Sequence, residues 1–174
     1  MKDNKRNLII LIGVLSGIFG FIYEEIFYRI DLGMFVKRGS SFGPWIPIYV
    51  CGGLLIYFFL YRLKKNPVLV FFLSSLITGI LEYGTGYVLD KVFHTRLWDY
   101  NTEIWNYGNI NGYICLRSIL FFGLSSLFLI YAMIPFLEKF IEKNKGKTLN
   151  RICIILGSMM ILDIILYQIL KNML

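Results

Sequence analysis

The chain has 174 residues, of which 57% are hydrophobic and only 17% are charged, and its formal net charge is +7. This composition excludes an ordinary soluble globular domain and predicts a polytopic membrane protein. The basic residues lie in short clusters between apolar segments, as they do where they set membrane topology, so we expect the lipid bilayer and no nucleic acid as a partner.

Five apolar segments approach the roughly 20 residues that a helix needs to cross the hydrocarbon core of a bilayer. They cover residues 8–30, 43–63, 67–89, 112–137 and 149–170. Lipid cannot hydrogen-bond the backbone, and no segment alternates as a barrel strand does, so each segment is predicted to be helical. The sequence therefore predicts a single transmembrane domain over residues 1–174, an all-α bundle of five membrane-spanning helices.

The distribution of lysine and arginine predicts the orientation of this bundle. If the N-terminus is cytoplasmic, eleven of the 18 basic residues lie on the inner side and six on the outer side, and Arg117 lies within a span. Basic residues are enriched in cytoplasmic loops. We therefore expect a multi-pass protein with its N-terminus in the cytoplasm and its C-terminus outside.

Charged residues also occur inside the predicted spans. Glu24, Glu82, Arg117 and Asp163 all fall in the outer half of their spans under this topology. Glu24 shares a helix face with a row of glycines, and Glu82 lies on a stripe of small and polar residues, so both are predicted to face neighbouring helices. The four charges therefore predict a shared outer pocket, with two alternatives: side chains that reach to water, and a buried ion network that only fixes helix register.

Polar and aromatic residues are concentrated in and beside the predicted loop between the third and fourth spans. The candidate binding residues of this region are Tyr83, Arg96, Trp98, Asp99, Tyr100, Asn109 and Asn111. Together with Glu24, Glu82, Arg117 and, in the first outer loop, Arg38, they predict a substrate-binding site at the outer face. Interfacial aromatic anchoring is the simpler interpretation for most of the rings.

The sequence predicts no cofactor and no metal centre. His94 is the only histidine, which excludes a metal site that needs two imidazoles unless chains associate. The phosphate-binding pattern G-x-x-x-x-G-K-S/T does not occur, so the chain does not cradle ATP in that manner. Cys51 and Cys115 are both predicted near the outer side, where they could pair, but buried free thiols are the expected state.

Motifs between Phe19 and Gly123 resemble those of a bacterial permease family, ABC-transporter type IV of the CmpB type. The shared elements are Gly20 with Glu24, Arg38-Gly39, Gly43-Pro44, Pro47-Ile48-Tyr49, Glu82-Tyr83, Arg96 with Trp98-Asp99-Tyr100, and Asn109 with Asn111-Gly112. The chain departs from the family at Phe21, where tryptophan is usual, and at Lys37. The resemblance implies a protein of the bacterial cytoplasmic membrane whose cytoplasmic ATPase is another polypeptide, with a homodimer or a second permease expected because five spans form a small pathway.

Two functions follow as alternatives. The first is a permease-like subunit that binds a polar or charged solute in the outer-leaflet pocket. The second is an intramembrane enzyme acting on a lipid or lipid-linked substrate at the extracytoplasmic face, with Glu24, Glu82 and Asp99 as catalytic candidates. The segment from Glu24 to Arg29 also resembles the E-E-x-x-x-R element of CAAX-type intramembrane proteases, although the histidines that this family carries on separate helices do not occur.

Overall fold

The regular secondary structure of the chain is helical in the computed structural model, which describes residues 2–36 and 39–173. In chain order the α-helices are α1 (Lys2–Leu32), α2 (Pro47–Leu60), α3 (Pro67–Lys91), α4 (Leu116–Phe128), α5 (Ile134–Lys143) and α6 (Lys147–Met173). A 3₁₀ turn, Tyr61–Leu63, follows α2, and a π-helical turn, Leu129–Met133, joins α4 to α5. The predicted all-α fold is confirmed for the described residues, where one isolated bridge pairs Ile110 with Ile114.

Among the described residues, four helical segments are long and apolar enough to cross a membrane. They are Lys2–Leu32, Pro67–Lys91, Leu116–Lys143 and Lys147–Leu170. The predicted span over 43–63 is not confirmed, because its α-helix α2 has only 14 residues. At 1.5 Å per residue it extends about 21 Å, less than the roughly 30 Å of a hydrocarbon core.

Proline and glycine explain where the helices differ from the predicted bounds. α2 begins at Pro47, because a proline ring suits the first helical position and needs no N–H donor there. α4 begins at Leu116 rather than at residue 112. Gly112 has a φ of +75°, which a right-handed helix does not adopt, so residues 112–115 remain in the loop. Beyond Phe128 the helix continues through the π turn just before Pro135 and ends at Lys143. Only residues 144–146 therefore lie between α5 and α6, whereas the predicted spans leave residues 138–148 between them.

The chain folds into two compact units, Met1–Leu54 with Ala132–Leu174, and Leu55–Tyr131. In the first unit α1 packs against α5 and α6, and Val14, Val50 and Met160 form a buried apolar cluster. A Cβ added to Gly17 would lie 2.9 Å from the Cβ of Trp45, so the glycine face of α1 permits close packing as its spacing predicts. That the chain is a single transmembrane domain stays a prediction.

Asp163 has a structural role in the first unit. One of its carboxylate oxygens, Oδ2, accepts hydrogen bonds from the backbone N–H groups of Phe42 and Gly43, at 3.1 and 3.0 Å, and from Trp45 Nε1 at 2.8 Å. Three N–H donors on one oxygen satisfy the hydrogen-bonding capacity of this carboxylate oxygen. This intramembrane acid therefore attaches the segment before α2 to α6.

The second unit is built on the packing of α3 against α4. The hydroxyl oxygens of Ser74 and Ser126 lie 2.5 Å apart and are fully buried, and the Thr78 hydroxyl donates to the Ser74 carbonyl at 2.6 Å. Small polar residues of this kind let membrane helices approach and bond to each other. The same stripe of α3 carries Glu82, which is 4% exposed, so its predicted inward direction is confirmed.

Candidate functional site

The loop between α3 and α4, residues 92–115, is called the α3–α4 loop here, and hydrogen bonds fold it back onto α3. The Tyr100 hydroxyl donates to Glu82 Oε1 at 2.5 Å. The Tyr113 hydroxyl donates to Asp90 Oδ2 at 2.5 Å, and the Asn111 amide donates to the Tyr83 hydroxyl at 3.4 Å. Each contact joins a residue of the loop to the last three turns of α3. The loop is thereby held over the end of the helix.

An ion pair whose side chains are about one-third exposed lies at the centre of this loop. Arg96 Nη2 is 3.2 Å from Asp99 Oδ1 and donates to the Asn111 carbonyl at 2.6 Å. The side chains of Arg96 and Asp99 are 35% and 32% exposed. The guanidinium also lies 5.1 Å from the ring centroid of Tyr113, within the range of a cation–π contact. Both charges therefore face solvent while the loop holds them in place.

Amide side chains close the loop from within. Asn109 donates to Asn101 Oδ1 at 2.7 Å and accepts from the Gly112 N–H at 2.7 Å. Asn111 and Gly112 have φ values of +55° and +75°, a left-handed pair that asparagine and glycine adopt more readily than other residues. Asn109, which the sequence predicts to bind substrate, thus has a structural role in this turn.

A more deeply buried cluster lies beside the ion pair. Arg117 Nη2 contacts Glu103 Oε2 at 2.6 Å, with side chains 15% and 5% exposed. The guanidinium carbon of Arg117 is 5.3 Å from the ring centroid of Tyr100, whose hydroxyl bonds Glu82. Two carboxylates and one guanidinium are therefore gathered around the Tyr100 ring, and such burial requires mutual pairing.

Sequence reasoning missed Glu103 as a member of this cluster. Its position in a polar loop is typical of a solvated acid, yet it is 8% exposed. The available signal was Arg117, because a guanidinium just inside an apolar helix needs a counter-charge. Glu103 is the only acid between Asp99 and Arg117 in the sequence, which makes it the nearest candidate.

Tyr113 and Asp90 form a second contact that the sequence did not predict. The hydrogen bond to the Asp90 carboxylate raises the pKa of Tyr113 above its ordinary value, and burial adds to the effect. A raised pKa means that this contact stabilises the folded loop up to alkaline pH and is lost as the phenol ionises. Lys91 Nζ also lies 3.1 Å from the same Asp90 oxygen. Because its pKa is raised, Tyr113 remains a hydrogen-bond donor at neutral pH.

Nine of the predicted site residues lie in the second unit, in or beside the α3–α4 loop. They are Glu82, Tyr83, Arg96, Trp98, Asp99, Tyr100, Asn109, Asn111 and Arg117. Glu24 lies on α1 in the first unit and is partly buried, and Arg38 lies outside the described residues. A role in binding stays a prediction for all of them.

The described residues contain no group of three or more His, Cys, Asp or Glu side chains that could hold a metal ion. The three cysteines are free thiols, with Cys51 exposed and both Cys115 and Cys153 buried. The polar chemistry of the α3–α4 loop is thus that of carboxylates, guanidinium groups, amides and phenols.

The helices and their apolar surfaces define a multi-pass membrane protein with a polar loop network between two of its candidate spans. The model of the family described as "Putative ABC-transporter type IV" matches residues 11–167, and the chain belongs to this family. The match confirms the resemblance and extends it on both sides of Phe19 to Gly123. No curated protein and no solved structure matches the chain.

Proposed function

We propose that the chain is the permease subunit of a bacterial ABC transporter in the cytoplasmic membrane, with its ATPase on another polypeptide. The α3–α4 loop binds a polar or charged solute on the outer side in this proposal. The observation that carries it is Glu82, a carboxylate 4% exposed within a candidate span and bonded to the loop through Tyr100. Ionisable groups inside membrane spans mark solute or ion pathways far more often than they serve as filler.

The exposed ion pair is the proposed first contact for the solute. Arg96 and Asp99 are each about a third exposed and satisfy each other until a ligand with its own charge replaces one partner. A guanidinium binds carboxylate or phosphate groups of a solute with two parallel hydrogen bonds. Displacement of either side chain acts on the loop that also carries Tyr100, so binding at the surface is linked to the buried Glu82.

A second copy of the chain or another permease is the proposed membrane partner, because four or five spans form a small pathway. Glu24 and Arg38 are retained as proposed binding residues. Glu24 is an intramembrane carboxylate, which supports its inclusion on the same grounds as Glu82.

Glu82→Gln tests the proposed function. Glutamine keeps an acceptor for the Tyr100 hydroxyl, so we expect the loop to fold. It removes the negative charge, so we expect ATP turnover to fall about tenfold or more, since a bond to a charged group contributes on the order of 1.5–3 kcal/mol. The tagged chain is purified from its native membrane with its partners, and vanadate-sensitive phosphate release is measured in proteoliposomes.

Glu25→Gln is the control, since Glu25 is a partly buried carboxylate of α1 that lies on another helix face from the glycine row and outside the proposed site. It should leave phosphate release within about twofold of the wild-type value, as expected for a residue outside the site. Purification without any ATPase polypeptide contradicts the proposal. Turnover of a lipid without ATP, lost in Glu82→Gln, supports the intramembrane-enzyme alternative instead.

We further propose that α2 with the residues around it crosses the membrane as a fifth span, which places the N-terminus inside and the C-terminus outside. The apolar segment before α2 and the turn after it add length to a helix of about 21 Å. The basic cluster Arg62, Lys64 and Lys65 then lies inside, as the positive-inside rule favours.

Cysteine labelling tests this topology. In a chain without its three native cysteines, Tyr107→Cys should react with a membrane-impermeant maleimide in intact cells, because Tyr107 is 75% exposed and the loop lies outside. Lys65→Cys should react only after permeabilisation. The reverse pattern would show that the α3–α4 loop is cytoplasmic and would contradict the proposed topology.

A further inference from the structure

An open apolar groove of about 450 Å³ runs along α3 beside the start of α4, in the second unit. Its walls include Leu76, Gly79, Ile80 and Gly84 of α3, with Ile114 and Ile119 opposite. The space is open because glycine has no side chain to fill it, and a Cβ added to Gly84 would meet nothing within 4 Å. Its volume is in the range of ordinary ligand sites, about 300–1,000 Å³.

The groove opens on the surface of a candidate membrane span. Leu76 and Ile80 on its rim are 58% and 65% exposed, and both belong to Pro67–Lys91. Hydrocarbon rather than water surrounds such residues in a bilayer. An apolar chain is therefore the occupant that this lining favours, since an uncompensated polar group would be destabilised there.

The length of the groove suits an extended alkyl chain. The wall from Ser75 to Tyr83 rises about 12 Å at 1.5 Å per residue. An alkyl chain lying along this wall stays in contact with Leu76 and Ile80 over that length.

One end of the groove is polar, and hydrogen bonds connect it to the Arg96–Asp99 ion pair. Tyr83 lines the groove, and its hydroxyl accepts a hydrogen bond from Asn111, whose carbonyl in turn binds Arg96. The guanidinium side chain is 35% exposed and has the geometry that suits a phosphate. An amphipathic occupant would thus place its chain along α3 and an anionic group at the α3–α4 loop.

We propose that this groove binds one acyl chain of a membrane phospholipid, whose phosphate lies at the Tyr83–Asn111 end near Arg96. The site shares Arg96 with the proposed solute contact, but lipid binding in the groove requires neither a solute nor an ATPase and is measured without them. It gives the loop a lipid contact in addition to its hydrogen bonds to α3.

Photolabelling in nanodiscs of phosphatidylethanolamine and phosphatidylglycerol tests this site. The probe is phosphatidylglycerol with a diazirine on one acyl chain, and labelled peptides are identified by mass spectrometry. We expect saturable labelling of residues 75–84 and 110–119 that unlabelled phosphatidylglycerol competes away. Gly84→Leu should reduce it about fivefold by filling the groove.

Val88→Phe is the matched control, since Val88 is 44% exposed on the same helix but does not line the groove. It should leave the labelling unchanged, and labelling of α6 serves as the internal reference for folding in every variant. Arg96→Gln should weaken phosphatidylglycerol labelling about threefold through the lost phosphate contact.

Three outcomes would overturn the proposal. Non-saturable labelling that Gly84→Leu does not change would mean bulk lipid only. Labelling by a diazirine fatty acid but not by the phospholipid would mean that the groove takes a free acid. Absence of labelling in the wild-type chain, together with spontaneous disulfide dimerisation of Gly84→Cys in a chain without native cysteines, would mean that a second copy covers the groove.

Discussion

Gly112→Ala is expected to loosen the α3–α4 loop and to lower the free energy of unfolding by about 2 kcal/mol, because it combines two separate penalties. Gly112 has a φ of +75°, which costs an alanine on the order of 1 kcal/mol. The added Cβ would also overlap Arg96 Nη2 and Asp99 Oδ1 and would lie 2.5 Å from Asn101 Nδ2. The central ion pair of the loop must therefore separate.

Gly108→Ala is the control for the backbone term in this experiment. Gly108 lies in the same loop at a φ of +65°, but its new Cβ would be 3.6 Å from the Cβ of Leu116, an ordinary contact. We expect a loss of about 1 kcal/mol from conformation alone. Thermal unfolding in detergent and hydrogen exchange of residues 92–115 measure both variants. Equal losses would show that the Arg96–Asp99 contact does not constrain the loop.

Glu103→Ala is expected to lower the free energy of unfolding by about 3 kcal/mol, because it removes the carboxylate that contacts the buried guanidinium of Arg117. The two side chains are 5% and 15% exposed and 2.6 Å apart. Glu142 and Lys145 form an ion pair of the same length whose side chains are 64% and 63% exposed. Water screens that surface pair, so Glu142→Ala should leave the thermal unfolding temperature unchanged.

The double variant Glu103→Ala/Arg117→Met separates charge burial from packing. It removes both charges, so it should unfold at a higher temperature than Glu103→Ala alone, as buried pairs do when both partners become apolar. Thermal unfolding of the two single variants and of the double variant completes the cycle. Additive losses would show that Glu103 and Arg117 contribute independently, which the 2.6 Å contact does not favour.

Part of the candidate site could be predicted from local patterns in the sequence. The stripe of small residues on α3 placed Glu82 inward, because residues three and four apart share a helix face. The sharp turn at Asn111-Gly112 was not predicted, although asparagine and glycine tolerate positive φ better than other residues. Glu103 was missed because its burial depends on Arg117, fourteen residues later, and no period in the sequence relates the two.

The sequence by itself determined that this chain is helical, membrane-embedded and related to a transporter family, and it placed four of its spans to within six residues at each end. It could do so because a backbone in lipid must bond within its own segment, which ties helix position to local hydropathy. Only the tertiary structure decided which charges meet. Asp163 binds the segment before α2, Glu82 bonds Tyr100 and Arg117 pairs with Glu103, since each contact requires two distant parts of the chain to be folded together first.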